Sequence, residues 1–243
     1  VHNSLRSNAV GAPALRIFDL APVTDVLIAN NVLSAQDDRA LTFNTSGIGA
    51  QANCFQRSTP GPLVEWNSVD YTTMAALQAG SGTHVASFTA DPRFFDPALD
   101  LHAYAIELDR AAIPLPIVTT DIDGQPRDPL APDIGADEFT PQLWTEALNT
   151  CAAADPIIST GTGQDQWIYA DRKVVARFND NGQALGMVNM NVYLHGGPVR
   201  QSLLGQHYLD RNWQLITQNP IAAGAIVRLF HSADEFVPFA AAD

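Results

Sequence analysis

The densest set of side chains able to do chemistry lies in one short stretch, where Asp121, Asp123, Asp128, Asp133, Asp137 and Glu138 fall close together. Asp-x-Asp-Gly, read from Asp121 to Gly124, opens many calcium loops, because Ca2+ takes several oxygen ligands and glycine permits the sharp turn. The metal set expected from this pattern is Asp121, Asp123, Asp128 and Asp133, with Ca2+ as the cofactor. An EF-hand loop also needs a bidentate Glu at its last position. Counting from Asp121, that position is Pro132, which excludes an EF-hand. The competing reading is that these aspartates cap turns and pair with Arg127.

Other chemistry is less well supported. Paired carboxylates serve glycoside hydrolysis, but nothing in the sequence sets their separation. A lyase needs a base and a cation against the substrate carboxylate. Arg39, Arg57, Arg93 and Arg127 are available in the first part of the chain, whereas the single lysine, Lys173, lies in the second. The six histidines show no HxH, HExxH or Cys/His zinc spacing. No catalytic residue is assigned, and the chain is expected not to be an enzyme. Trp66, Trp144, Trp167 and Trp213 suit either a core or a sugar-stacking face. Trp213, Tyr208 and Arg211 are the candidate glycan contacts. Trp213 shares a strand face with Arg211 and Leu215, which favours a packed or stacked role.

The elements that must position these groups are mostly strands. The 243 residues carry 21 Asp against 5 Glu, 12 Arg against 1 Lys, 16 Gly and 16 Pro. Asp, Gly and Pro are turn formers, while the good helix formers Glu and Lys are scarce. A bundle or coiled coil is therefore excluded, and with 46% hydrophobic residues so is a disordered polyelectrolyte. The formal charge of −13 and pI near 4.6 exclude nucleic acid as a partner. No apolar run reaches the roughly 18–20 residues of a transmembrane segment. The chain opens on Val1 without a signal peptide, as expected of a piece of something longer. Cys54 and Cys151 are expected as two buried thiols.

An internal echo runs through the first 60 residues. Ala14-Leu15-Arg16-Ile17-Phe18 returns as Ala40-Leu41-Thr42-Phe43, Val1-His2-Asn3-Ser4-Leu5 returns as Ile28-Ala29-Asn30-Asn31-Val32, and Ala52-Asn53-Cys54-Phe55 is a third, shortened echo. Short β runs with Asn at turns and a repeat in the mid-twenties suit coils stacked on a shared core. Residues 69–78 read as a short helix capped by Asp70 and ended by Gly80-Ser81-Gly82. Residues 142–153 read as either a linker helix or a strand. After residue 166 the chain alternates in strand fashion, with Val188, Met190, Val192 and Leu194 on one face and a hairpin signal at Asn179-Asp180-Asn181-Gly182.

The pair DIDGxxRD (residues 121–128) and PDIGAxEF (residues 132–139) resembles the closing signature of right-handed parallel β-helix proteins, pectate-lyase-like in fold, found among secreted bacterial surface proteins. Asn53-Cys54-Phe55, Gly82-Thr83-His84, Asp91-Pro92-Arg93-Phe94 and Leu99-Asp100-Leu101-His102 are similar to that family's upstream order; residues 105–109 depart from it. Tyr208-Leu209-Asp210-Arg211-Asn212-Trp213 followed by Val227-Arg228-Leu229-Phe230 resembles an accessory β-sandwich of proteins exported by the type IX secretion route. The resemblance implies an all-β chain: residues 1–140 as the terminal coils and cap of a parallel β-helix, and 141–243 as a β-sandwich. It further implies a secreted or cell-surface location and a non-catalytic structural, adhesive or glycan-contacting role. The partners would be other domains of a larger protein and polysaccharide or surface glycan. The alternative is a fragment of a polysaccharide lyase or glycoside hydrolase whose catalytic coils lie upstream.

Overall fold

The computed structural model describes residues 1–18, 26–45, 47–144, 150–196, 198–231 and 235. The chain is mostly β, with one α-helix among the described residues, and divides into two compact units, Val1–Thr140 and Pro141–Asp243. Residues 145–149, within the stretch expected as a linker helix or strand, lie outside the described residues. No helix among the described residues is long and apolar enough to cross a membrane.

The first unit runs β1 (Ser4–Ser7), β2 (Leu15–Phe18), β3 (Val26–Ala29), β4 (Val32–Ala35), β5 (Leu41–Asn44), β6 (Ile48–Gln51), β7 (Cys54–Arg57), β8 (Val64–Trp66), β9 (Val69–Tyr71), α1 (Met74–Ser81), β10 (Phe88–Thr89), β11 (Phe94–Asp96) and β12 (Asp100–Ala103). Three sheets are built by strands that recur along the chain. They are β1-β4-β7-β10, β2-β5-β8-β9 and β3-β6, all paired in parallel except β8 with β9. Register stacks like on like: Leu5 beside Leu33 beside Phe55, and Ile17 beside Phe43 beside Trp66. The Phe43 and Trp66 rings stack at 4.1 Å. These columns, with Leu41, Val64 and Leu77, form a buried core. Strands of only two to four residues cannot bury an apolar face singly, so the columns hold only when stacked.

One local feature recurs ahead of β1, β4, β7 and β10. His2, Asn30, Ala52 and Ala86 adopt left-handed backbone (φ 51°, 59°, 48° and 57°), each two residues before the first residue of the next strand. For a residue with a Cβ this conformation costs roughly 1–2 kcal/mol. A ladder of side chains answers it. Asn3 N and Nδ2 donate to Asn31 Oδ1 (3.1 and 3.0 Å), Asn31 N and Nδ2 donate to Asn53 Oδ1 (both 2.9 Å), and Asn53 N donates to Ser87 Oγ (3.0 Å). The ladder steps 28, 22 and 34 residues, and the long last step contains α1. That helix begins at Thr73, whose hydroxyl accepts from Ala76 N, and ends at Gly82 in left-handed conformation. Asp70, expected as its cap, is instead in β9 and grips Arg39 through two 2.7 Å hydrogen bonds.

His84 is fully buried against the Trp66 and Phe55 rings, and neither ring nitrogen has a hydrogen-bond partner. Burial lowers it to about 4. The unfolded imidazole protonates near 6.5, so between pH 6.5 and 4 the unfolded chain holds the extra proton and stability falls as pH falls. The shift corresponds to about 3 kcal/mol across that window. Thermal unfolding of the parent and His84→Phe at pH 7.5 and 5 checks this. The acid-induced drop in midpoint is expected to be smaller in the variant, and equal drops would contradict the assignment.

The second unit comprises β13 (Thr150–Ala153), β14 (Ile157–Ser159), β15 (Asp165–Ala170), β16 (Lys173–Asn179), β17 (Gly186–Leu194), β18 (Arg200–Gln201), β19 (His207–Tyr208), β20 (Arg211–Thr217) and β21 (Ile226–Leu229). β17 pairs with β13, β14 and β20, while β15-β16-β21 form a second antiparallel sheet. Val188, Met190, Val192 and Leu194 of β17 are buried with Ile168, Val175 and Phe178 in one core. The turn at residues 179–182 does not close a hairpin, because β16 and β17 belong to different sheets. Asp180 accounts for this: its carboxylate is buried and accepts from Ser159 Oγ and from the backbone N–H groups of Gly161, Gly163 and Gly182, which ties the turn to the 159–163 loop. The two thiols differ as well. Cys54 is buried and pushed up to about 12 by that burial, whereas Cys151 is exposed, contrary to the expectation of two buried thiols.

Candidate functional site

The Asp-rich segment packs along the side of the β1-β4-β7-β10 sheet. Gly135 N donates to Asn30 O (2.9 Å) and Ala136 N to Ser4 Oγ (3.1 Å). Gly135 has φ 112°, and a Cβ there would lie 3.0 Å from Ser4 Oγ and 3.1 Å from a Val32 methyl, so only glycine fits this approach. Ile113 N donates to Asn30 Oδ1 and Ile113 O accepts from Asn30 Nδ2, which fastens a second point at the same residue. Ile134 joins Val32, Cys54, Phe94, Ala105 and Leu108 in a cluster on this side of the sheet.

Most of the expected metal ligands are engaged by backbone. Asp121 Oδ1 accepts from the N–H groups of Asp123 (3.0 Å) and Gln125 (2.7 Å), and its Oδ2 from Glu138 N (3.1 Å). Asp128 Oδ1 accepts from Leu130 N and Ala131 N, and Arg110 meets its Oδ2 at 3.2 Å. Asp133 is buried, with Arg110 N and Phe139 N each 2.7 Å from one carboxylate oxygen. Burial raises it to about 7 against the opposing pull of those two donors. Arg127 pairs with none of these aspartates. Its guanidinium is buried, meets Glu138 Oε2 at 3.1 Å and donates to the carbonyls of Asp133, Gly135 and Ala136. Asp121 and Asp123 share the 121–125 turn while Asp128 and Asp133 lie outside it, so the four are not gathered on one point.

The structure gathers a different group. One ligand atom each from His102, Asp123 and Asp137 lies within 4.8 Å of the others. His102 Nδ1 is 2.5 Å from Asp100 Oδ1, and its Nε2 is 3.0 Å from Asp123 Oδ2. The hydrogen bond to Asp100 is the main cause of a raised His102 pKa; burial opposes it, and Asp123 and Asp137 add to it. Burial raises Asp137, with His102 opposing and Asp121 and Asp123 reinforcing. The group borders a cleft of about 320 Å3, which His102 and Asp137 line together with Leu5, Leu99, Leu101 and Ile122. Of the expected ligands only Asp123 takes part. His102 was not found from spacing because β12 and the two Asp turns are separate in sequence and meet only through the fold.

In the second unit the three candidate glycan contacts also part company. Arg211 is buried: it donates to Trp144 O (2.7 Å), lies over the Trp144 ring at 5.2 Å and pairs with Glu235 (Nε to Oε2, 3.0 Å). Trp213 points the same way along β20 and packs against the core. Tyr208 alone of the three is exposed, with the Arg200 guanidinium 4.8 Å above its ring in the β18–β19 hairpin.

No protein-family model, curated protein or solved structure matches the chain. Its functional reading therefore rests on its own geometry and on the motif resemblance.

Proposed function

We propose that the chain is a non-catalytic structural, adhesive or glycan-contacting segment of a larger secreted or cell-surface protein. In this reading residues 1–140 are terminal coils of a right-handed parallel β-helix with their closing segment, and residues 141–243 are an accessory β-sandwich. The observation that carries it is the asparagine ladder through parallel strands paired in register, which supports a stacked-coil scaffold. The use of the Asp-rich carboxylates as turn acceptors favours a scaffold over hydrolysis or elimination, because a catalytic carboxylate must keep an oxygen free for substrate. The sheet faces of the second unit turn Arg211 and Trp213 inward, which leaves Tyr208 and Arg200 as the glycan-contacting pair in this reading.

The test is to incubate the full chain with acidic and neutral polysaccharides and to screen it on a glycan array. Retention without unsaturated uronate products or new reducing ends is expected, and Tyr208→Ala is expected to weaken retention about tenfold, the loss of one stacked aromatic. Turnover of any of these polysaccharides would overturn the non-catalytic reading. Unchanged retention in Tyr208→Ala would remove the hairpin from it.

A further inference from the structure

The geometry points to a binding site for one transition-metal dication of the zinc class at His102, Asp123 and Asp137, with Asp100 as the outer partner of the imidazole. The site does not depend on reading the chain as a scaffold. Its first support is the donor set. An imidazole nitrogen and two carboxylates within 4.8 Å of one another form a mixed N/O group of the kind zinc and its neighbours take. Calcium takes six to eight oxygens, and here one of three donors is nitrogen. The second support is the arrangement behind the imidazole. His102 Nδ1 faces Asp100 at 2.5 Å, which fixes the ring and directs Nε2 toward Asp123. A carboxylate behind a ligating histidine is the usual outer partner of a metal-bound imidazole.

The third support is charge. Asp100, Asp123 and Asp137 surround one imidazole, so even the imidazolium leaves two negative charges for a dication to neutralise. The fourth is that the two Asp turns are braced independently of any ion. Asp121 holds the 121–125 turn through Asp123 N and Gln125 N, and Ile122 N donates to Ala136 O (2.9 Å), next to Asp137. Three protein donors leave a coordination position, and the cleft lined by His102 and Asp137, part apolar (Leu5, Leu99, Leu101) and part polar (Asn3, Ser4, Asp100), gives it access to a small ligand.

The experiment is calorimetric titration of the full chain with zinc chloride, on a Cys151→Ser background so that the exposed thiol does not compete. One equivalent is expected to bind, and excess calcium chloride is expected not to displace it. His102→Gln and Asp137→Asn are each expected to weaken binding by roughly a hundredfold or more, and Asp100→Asn by about tenfold, the range for an outer-partner change. Far-ultraviolet circular dichroism in chelator identifies any variant that fails to fold. Cobalt absorption spectroscopy of the parent gives a second reading, with visible bands of a nitrogen-containing site expected. Absence of saturable one-equivalent binding would overturn the site, as would displacement by calcium or undiminished affinity in folded His102→Gln and Asp137→Asn.

Discussion

Replacing Asn53 with alanine is expected to lower the unfolding free energy of the first unit by about 4 kcal/mol, because each buried group left unpaired costs roughly 1–3 kcal/mol. Asn53 is fully buried and sits mid-ladder. Its Oδ1 accepts from both Asn31 N and Asn31 Nδ2, and its Nδ2 donates to Ile28 O (2.8 Å) and Gln51 O (3.0 Å). Alanine removes all four bonds. At roughly 2–4 °C per kcal/mol for a domain of this size, the thermal midpoint should fall by about 10 °C. Asn53→Asp is a sharper control, since it keeps the acceptor and loses the donor. Its midpoint should lie below the parent, because a carboxylate would be buried against Ile28 O and Gln51 O. A fall of only a degree or two in Asn53→Ala would show that the ladder contributes little.

The second large effect is expected at Arg127. Removing one partner of a buried ion pair typically destabilises by about 3–5 kcal/mol. The Arg127 side chain is only 3% exposed, and it meets Glu138 and three backbone carbonyls at once. Glu138 keeps the N–H groups of Asp128 and Asp133 when Arg127 is lost, so Arg127→Ala is placed at the lower end, about 3 kcal/mol. Lysine carries the charge but not the planar fork that sets Nη1 on Glu138 and Asp133 O and Nη2 on Gly135 O and Ala136 O, so Arg127→Lys should recover only part of the loss. Denaturant unfolding of the two variants measures both. Full recovery by lysine would mean that the charge matters and the fork does not.

The parallel strand pairing of the first unit was legible in sequence wherever apolar residues repeat at a near-constant interval. Leu15 and Leu41 do so, and they pair in register. The ladder was partly legible from Asn30-Asn31 and Asn53, but its last rung was not. Serine replaces asparagine at position 87, after a loop that grows to hold α1. The turn at residues 179–182 looked like a hairpin because Asn181 and Gly182 both favour left-handed backbone, and they adopt it. What sequence could not show is that Asp180 is pulled across to the 159–163 loop by three donors, Ser159 Oγ, Gly161 N and Gly163 N. Arg211 looked available on a strand beside Trp213. Strand alternation gives the shared face but not which face is buried, and Trp144 and Glu235 settle it inward. The Asp-rich segment was identified as the chemical centre, yet its oxygens mostly serve backbone. The gathered group takes His102 from β12, a residue with no metal spacing around it.

The scaffold reading makes one demand above the rest: the Asp-rich segment must be as firmly held as the strands it covers. Amide hydrogen exchange of the full chain, followed by mass spectrometry, measures this directly. Peptides covering residues 31–35 and 53–57 and the segment 121–139 are expected to exchange together and slowly, through one cooperative opening. Exchange of 121–139 within minutes, while the strands stay protected, would show a mobile loop and contradict the scaffold.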